Sequence, residues 1–237
     1  MKTVTEQDYH DRVDPHRQGA RSAEIILGAQ DGLVNVLGVV LGVAAATSNG
    51  AIVLAAGAAA AIAESASMAA VAFTSSRAQA HYYDAEVARE RRHVQHSASI
   101  EREEVRALYA AKGFSGELLE RIVAHITKDP EVWVALMMAE EHQLAPVPLR
   151  RSLAAAVIVG VASLVGSLIP LGPFLVLDGR AAVVGAVAVA ALALFALGAV
   201  KARNTVGSTL REGLTLMAIG LVTSALAWAV GLWLEVK

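Results

Sequence analysis

Two carboxylates stand in stretches that are otherwise apolar. Asp31 is the single charged residue of ILGAQDGLVNVLGVVLGV, residues 26–43, and Glu64 ends a run, residues 32–63, that carries no charge at all. An ionisable group inside a membrane span costs roughly 3 kcal/mol or more, so its presence points to a functional site. Met68 follows Glu64 by four residues and shares its helix face. Carboxylate oxygens with a thioether suit a divalent transition metal of intermediate softness, whereas oxygens alone would suit Mg²⁺ or Ca²⁺. Glu24 precedes Asp31 by two turns on roughly the same face. Each residue also has a plainer reading: Glu24 as a solvated or capping group at the interface, Met68 as packing, Asp31 and Glu64 as carboxyls bonded to a neighbouring helix. Carboxyls withdrawn from water also take up protons. Glu24, Asp31 and Glu64 are therefore proton-coupling candidates, and a group that takes either a cation or a proton can exchange one for the other.

A second set lies further along the chain. Glu86 and Glu90 are four apart, Glu90 and His93 three apart, Glu101 and Glu104 three apart, and Met137 and Met138 precede Glu141 by four and three. Each pair points the same way from one helix. Folded together, these helices would set carboxylates, an imidazole and thioethers around one volume, as bundle helices do in di-iron proteins. On spacing alone, ARERR (88–92) and EREEVR (101–106) equally describe a solvated helix. Two methionines before an acidic residue are uncommon on such a face and favour a built site or a packed core.

The elements that must position these residues follow from composition. Of the 237 residues, 55% are hydrophobic and 18% charged, less charge than soluble domains carry. Uncharged runs reach the ~20 residues that cross ~30 Å of hydrocarbon. The expected fold is all-α: five transmembrane helices, near 24–47, 51–75, 152–177 (ending at Pro170), 181–200 and 213–234. Ser48-Asn49-Gly50 turns the chain between the first two. Small residues favour close helix packing in a membrane. A polar segment, 77–151, interrupts the spans with 11 of the 20 Lys/Arg, 12 of the 22 Asp/Glu and five of the seven His. It reads as helices to about Ser97, then near 100–112, 116–127 and 131–143, a helical domain too large for a loop. The expected division is 1–76, the N-terminal segment with spans one and two; 77–149, the metal-binding domain; and 150–237, spans three to five.

With the N-terminus inside, the inner segments hold 18 of the 20 Lys/Arg, so the N-terminus and the helical domain are expected in the cytosol. The polar start is not a signal peptide. A net charge of −2 argues against nucleic-acid binding. With no cysteine there is neither a disulfide nor a thiolate metal site.

At this point the sequence resembles the vacuolar iron transporter family, whose members move ferrous iron, and often manganese, out of the cytosol. The resemblance rests on Glu24-Ile25-Ile26-Leu27-Gly28 leading to Asp31-Gly32-Leu33, on Ser67-Met68, on ARERR and the Glu101–Glu104 pair, on Pro130-x-x-Trp133 through Met137-Met138-x-x-Glu141, and on Pro170-Leu171-Gly172-Pro173. It spans essentially the whole chain in order. It implies a homodimer of five-span subunits with spans one and two lining the path. It also implies that Asp31 and Met68 are metal ligands there, and that Glu90, His93, Glu101, Glu104, Met137, Met138 and Glu141 fall at or beside the cytosolic ligand positions. Members often have Glu where His93 stands, some carry an acid near Ala60 rather than at Glu64, and some have Pro at Asn35. Many read GEY or GGY where this chain has Ala70-Val71-Ala72-Phe73.

The function expected is export of Fe²⁺ from the cytosol in exchange for protons, with Mn²⁺, Co²⁺ or Zn²⁺ as other cargo, no organic cofactor and no enzymatic activity. The membrane would be plasma membrane in a prokaryote and vacuolar in a eukaryote. One alternative is a membrane-anchored di-iron or ferroxidase-type enzyme, but that centre wants an E-x-x-H motif from each of two helices and only Glu90–His93 supplies one. A metal sensor without transport would not need carboxylates in the spans. Gly38 and Gly42 form a GxxxG pair, expected to pack span one against its dimer mate so that two copies of Asp31 face one path.

Overall fold

The computed structural model describes residues 18–204 and 207–234; most of the polar N-terminal segment used above for orientation lies outside them. The described residues form eight α-helices and no strand. In chain order these are α1 (Gln18–Ala46), α2 (Gly50–His96), α3 (Ala98–Ala111), α4 (Gly116–Ile126), α5 (Pro130–Glu140), α6 (Leu149–Leu168), α7 (Gly179–Arg203) and α8 (Thr209–Trp233), with a 3-10 turn at Gly172–Leu175. Five of them, α1, α2, α6, α7 and α8, are long and apolar enough to cross a membrane. The protein is an all-α, multi-pass membrane protein. It divides into two compact units, one holding residues up to Phe73 and from Leu153 onward, the other Thr74–Ser152.

In the first unit α1 is the central helix. Its Leu33, Leu37 and Leu41 pack with Ala186, Ala190 and Leu194 of α7 and Leu216 of α8. Its Val36 and Val40 pack with Val53 and Ala61 of α2 and with Leu171. Asn49 starts α2: its side-chain oxygen accepts from the backbone N–H of Ala51 at 3.0 Å, satisfying a donor that a helix start leaves unpaired. The third span stops at Leu168, two residues short of the expected Pro170. Proline disfavours helical geometry in the residue before it, and the chain passes through Pro170 into the 3-10 turn.

Small residues set the helix crossings. A methyl group built on Gly32 would lie 2.2 Å from the Ser163 carbonyl of α6, and one on Gly166 would lie 2.2 Å from the Ala29 carbonyl of α1. The α1–α6 crossing is therefore backbone against backbone. The GxxxG pair has a different partner from the one expected. Gly42 lies beside Ala227, and Gly231 of α8 sits so close to Gly42 that an added Cβ would be 2.1 Å from its carbonyl. Gly38 and Gly42 thus join α1 to α8 of the same chain. A GxxxG spacing specifies a close approach but not whose helix approaches.

In the second unit, four helices close on one core: Val94 of α2, Val105 of α3, Leu119, Val123 and Ile126 of α4, and Trp133, Val134, Met137 and Met138 of α5. Gly113, at φ 93°, ends the α3 segment in the left-handed region that suits glycine. Asp129 caps α5, accepting from the Glu131 N–H at 2.9 Å, and Pro130 fills the first helical position.

Candidate metal centres

The second unit gathers acidic and imidazole side chains from three elements. Glu86, Glu90 and His93 come from the end of α2, Glu101 and Glu104 from α3, and Glu141 and His142 from the residues just past α5. Together they line a cavity of about 410 Å³. One ligand atom from each of Glu90, His93 and Glu101 can be chosen so that all lie within 4.8 Å of one another. His93 Nδ1 is 3.3 Å from Glu101 Oε1 and 3.7 Å from Glu90 Oε1. Glu90 and Glu101 are 3% and 4% exposed, yet Oε2 of each has no hydrogen-bond partner among the described residues. Buried charge without a partner is costly, so these two oxygens are placed to take up a proton or a cation.

The electrostatics agree with that reading. Burial first, then the neighbouring Glu104 and Glu90, push the Glu101 carboxyl up to about 7. Desolvation and Glu104 also raise Glu141. His142 is raised chiefly by its hydrogen bond to Glu90. The cluster favours positive charge, as protons or as a cation.

Other residues of the expected set are held differently. Glu86 lines the same cavity, but Arg89 holds its carboxylate with two bonds of 2.9 and 3.0 Å. Met137 and Met138 are 0% and 1% exposed and belong to the hydrophobic core. Full burial of such a side chain stabilises by about 1.5–3 kcal/mol. His142 was not in the expected set; its Nε2 donates to Glu90 Oε1 at 3.0 Å. The run Glu140-Glu141-His142 carried the signal, but His142 lies beyond the end of α5, where helical spacing no longer says which residues meet.

In the first unit, Asp31 of α1 and Glu64 of α2 are brought together. Their carboxyls are hydrogen-bonded to one another, and the Asn35 amide, one turn along α1, donates to Asp31. Two carboxyls in such contact hold between them either a proton or a cation. Both are half-buried, as is Met68 one turn beyond Glu64, whereas Asn35 and Ser67 are exposed. Glu24, two turns before Asp31, is half-buried.

Fold and sites define a multi-pass helical membrane protein with ionisable groups inside its spans and an acidic, histidine-containing inserted unit. The chain belongs to the VIT family, whose profile matches residues 22–232. It is similar to vacuolar iron transporter 1 of Tulipa gesneriana, 28% identical over 207 residues that cover 87% of this chain and 84% of the relative. The vacuolar iron transporter 1 of Arabidopsis thaliana is 29% identical over 206 residues, 86% and 82% of the two chains. Protein CCC1 of Saccharomyces cerevisiae is 26% identical over 215 residues, 87% and 66%.

Proposed function

We propose that this protein transports a divalent transition metal, Fe²⁺ first and Mn²⁺ as a second cargo, out of the cytosol in exchange for protons. The observation that carries the proposal is the Asp31–Glu64 pair, two carboxyls from different spans sharing one hydrogen bond inside an apolar unit. A divalent cation arriving between them displaces the shared proton, and a proton arriving displaces the cation. Met68 adds a soft donor one turn from Glu64, which favours a transition metal over Mg²⁺ or Ca²⁺. The relatives named vacuolar iron transporter support iron as the cargo.

The inserted unit gathers the cargo. The distribution of Lys and Arg puts it, with the N-terminus, on the cytosolic side. There Glu90, His93, Glu101, Glu104 and Glu141 offer oxygen and nitrogen donors around one cavity. The working form is a homodimer. Asn35 and Ser67 are polar and exposed within the spans of a single chain. Polar side chains at that depth face protein or a water-filled path rather than lipid. A second copy covering this face would complete the path.

Purified protein in liposomes, with dyes for metal and pH on the inside, tests the proposal. Fe²⁺ entering one way should drive protons the other, and Asp31→Asn with Glu64→Gln should abolish both signals while leaving the protein monodisperse. Undiminished flux in the double variant would remove the pair from the mechanism.

A further inference from the structure

We infer that His142 is a direct ligand of the metal held by the Glu90–His93–Glu101 cluster, and that this second imidazole biases the cluster toward nitrogen-preferring divalent ions. The inference rests on reading that cluster as a metal site. His142 Nε2 lies 3.0 Å from Glu90 Oε1, and His93 Nδ1 lies 3.7 Å from the same oxygen and 3.3 Å from Glu101 Oε1. Glu90 Oε1 is thus flanked by two imidazole nitrogens. An ion with bonds of about 2.1 Å separates neighbouring ligand atoms by about 3.0 Å in octahedral and about 3.4 Å in tetrahedral geometry. The 3.0 and 3.3 Å separations fall in that range and the 3.7 Å one lies just beyond it. Glu90, His93 and Glu101 already lie within reach of one ion, and His142, which lines the same cavity beside Glu90, joins them by a turn of its ring. The unpartnered buried oxygens of Glu90 and Glu101 supply the independent sign that something is to be bound here.

The backbone holds His142 in place. Gln143 has φ 53°, in the left-handed region that a non-glycine residue enters only at a cost. The turn is fixed by the His142 N–H donating to the Met137 carbonyl at 3.2 Å and the Leu144 N–H to the Met138 carbonyl at 2.9 Å. Leu144 packs on the core. The same end of α5 that buries Met137 and Met138 thus sends His142 to the cluster. Thioethers are withdrawn and an imidazole is presented in their place. Imidazole suits Fe, Cu, Zn and Ni, whereas Mn²⁺ and Ca²⁺ are suited by oxygen ligands.

The test uses the full chain in detergent, stripped with a chelator, and Co²⁺ or Cu²⁺ alone as the probe. His142→Gln keeps an amide that can still donate to Glu90 but removes the imidazole nitrogen. Expected are a loss of Co²⁺ affinity of roughly tenfold or more, a Mn²⁺ affinity changed much less, and one imidazole fewer in the pulsed EPR of bound Cu²⁺. His93→Ala should remove one imidazole likewise. The inference is overturned if His142→Gln leaves the nitrogen count and the Co²⁺ affinity unchanged while Glu101→Gln abolishes binding. If Glu101→Gln also leaves binding intact, or wild type binds nothing, the reading of the cluster as a metal site falls with it.

Discussion

Glu101→Gln should stabilise the metal-free protein and at the same time abolish metal binding by the cluster. Glu101 is 4% exposed, its Oε2 has no partner among the described residues, and its carboxyl is pushed from 4.5 up to about 7. Ionising it in the fold rather than in the unfolded chain costs about 3 kcal/mol, at roughly 1.4 kcal/mol for each pH unit between those values. The sign follows from which state binds more protons. Below about 4.5 the carboxyl is neutral in both states and has no effect. Between 4.5 and about 7 the folded state keeps a proton that the unfolded state has lost, so stability falls as pH rises. Above about 7 the whole penalty is present. Glutamine carries no charge at any pH. The variant should therefore match wild type near pH 4.5 and exceed it by about 1–3 kcal/mol at pH 8, the lower figure allowing for relief shared with Glu104 and Glu90. Unfolding of chelator-treated protein, with Trp228 and Trp233 changed to Phe so that the core residue Trp133 reports, measures this directly. Metal should restore wild type and not the variant, by about 2.7 kcal/mol at a hundredfold excess over Kd. A gap equal at pH 5 and pH 8, or a variant less stable at pH 8, would refute the assignment of unpaired buried charge to this site.

The buried methionines should behave as core, not as ligands. Met137→Leu or Met138→Leu should cost less than about 1.5 kcal/mol and leave Co²⁺ titrations unchanged, whereas Met137→Ala should cost about 2–5 kcal/mol; a leucine variant that melts normally yet loses metal would show that the thioethers reach the ion. Among the span glycines, Gly231→Ala should be the most damaging of the α1–α8 set, about 1–3 kcal/mol from overpacking, and Gly38→Ala the least, because its Cβ would meet Ala227 at 3.4 Å rather than a carbonyl at 2.1 Å. The readout is the thermal stability of the single subunit; a change in oligomeric state with unaltered subunit stability would place these glycines between copies instead.

Much of this fold is legible in the sequence because a bilayer imposes simple rules. Five long apolar runs, the first two carrying isolated carboxylates, read as spans, and the polar stretch between the second and third reads as lying outside hydrocarbon. A helix end was readable where the chemistry is local, as at Ser48-Asn49-Gly50. What spacing could not supply was the identity of partners. Gly38 and Gly42 announce a close approach, yet only the folded chain shows α8 on the other side. Met137 and Met138 share α5 with Trp133 and Val134, and the rotation of that helix sends all four inward. Periodicity alone does not distinguish a thioether facing a core from one facing a cavity. His142 was illegible for a backbone reason: its direction is set by the left-handed Gln143, outside any regular period.

The buried line along α7 limits how the span unit can move. Ala182, Ala186, Ala190, Leu194, Gly198 and Ala202 recur every four residues, while the helix turns every 3.6. Each repeat therefore advances the line by about 40°, and five repeats carry it about 200° around the axis. It faces α1 and α8 around Leu194 and the start of α8 at Gly198, where an added Cβ would lie 2.5 Å from the Glu212 carbonyl. A helix seated in this way resembles a screw in its thread: it cannot slide or roll by itself without driving a larger side chain into a neighbouring backbone. Any motion of the span unit should then carry α7, α8 and the α1 helix packed against them together.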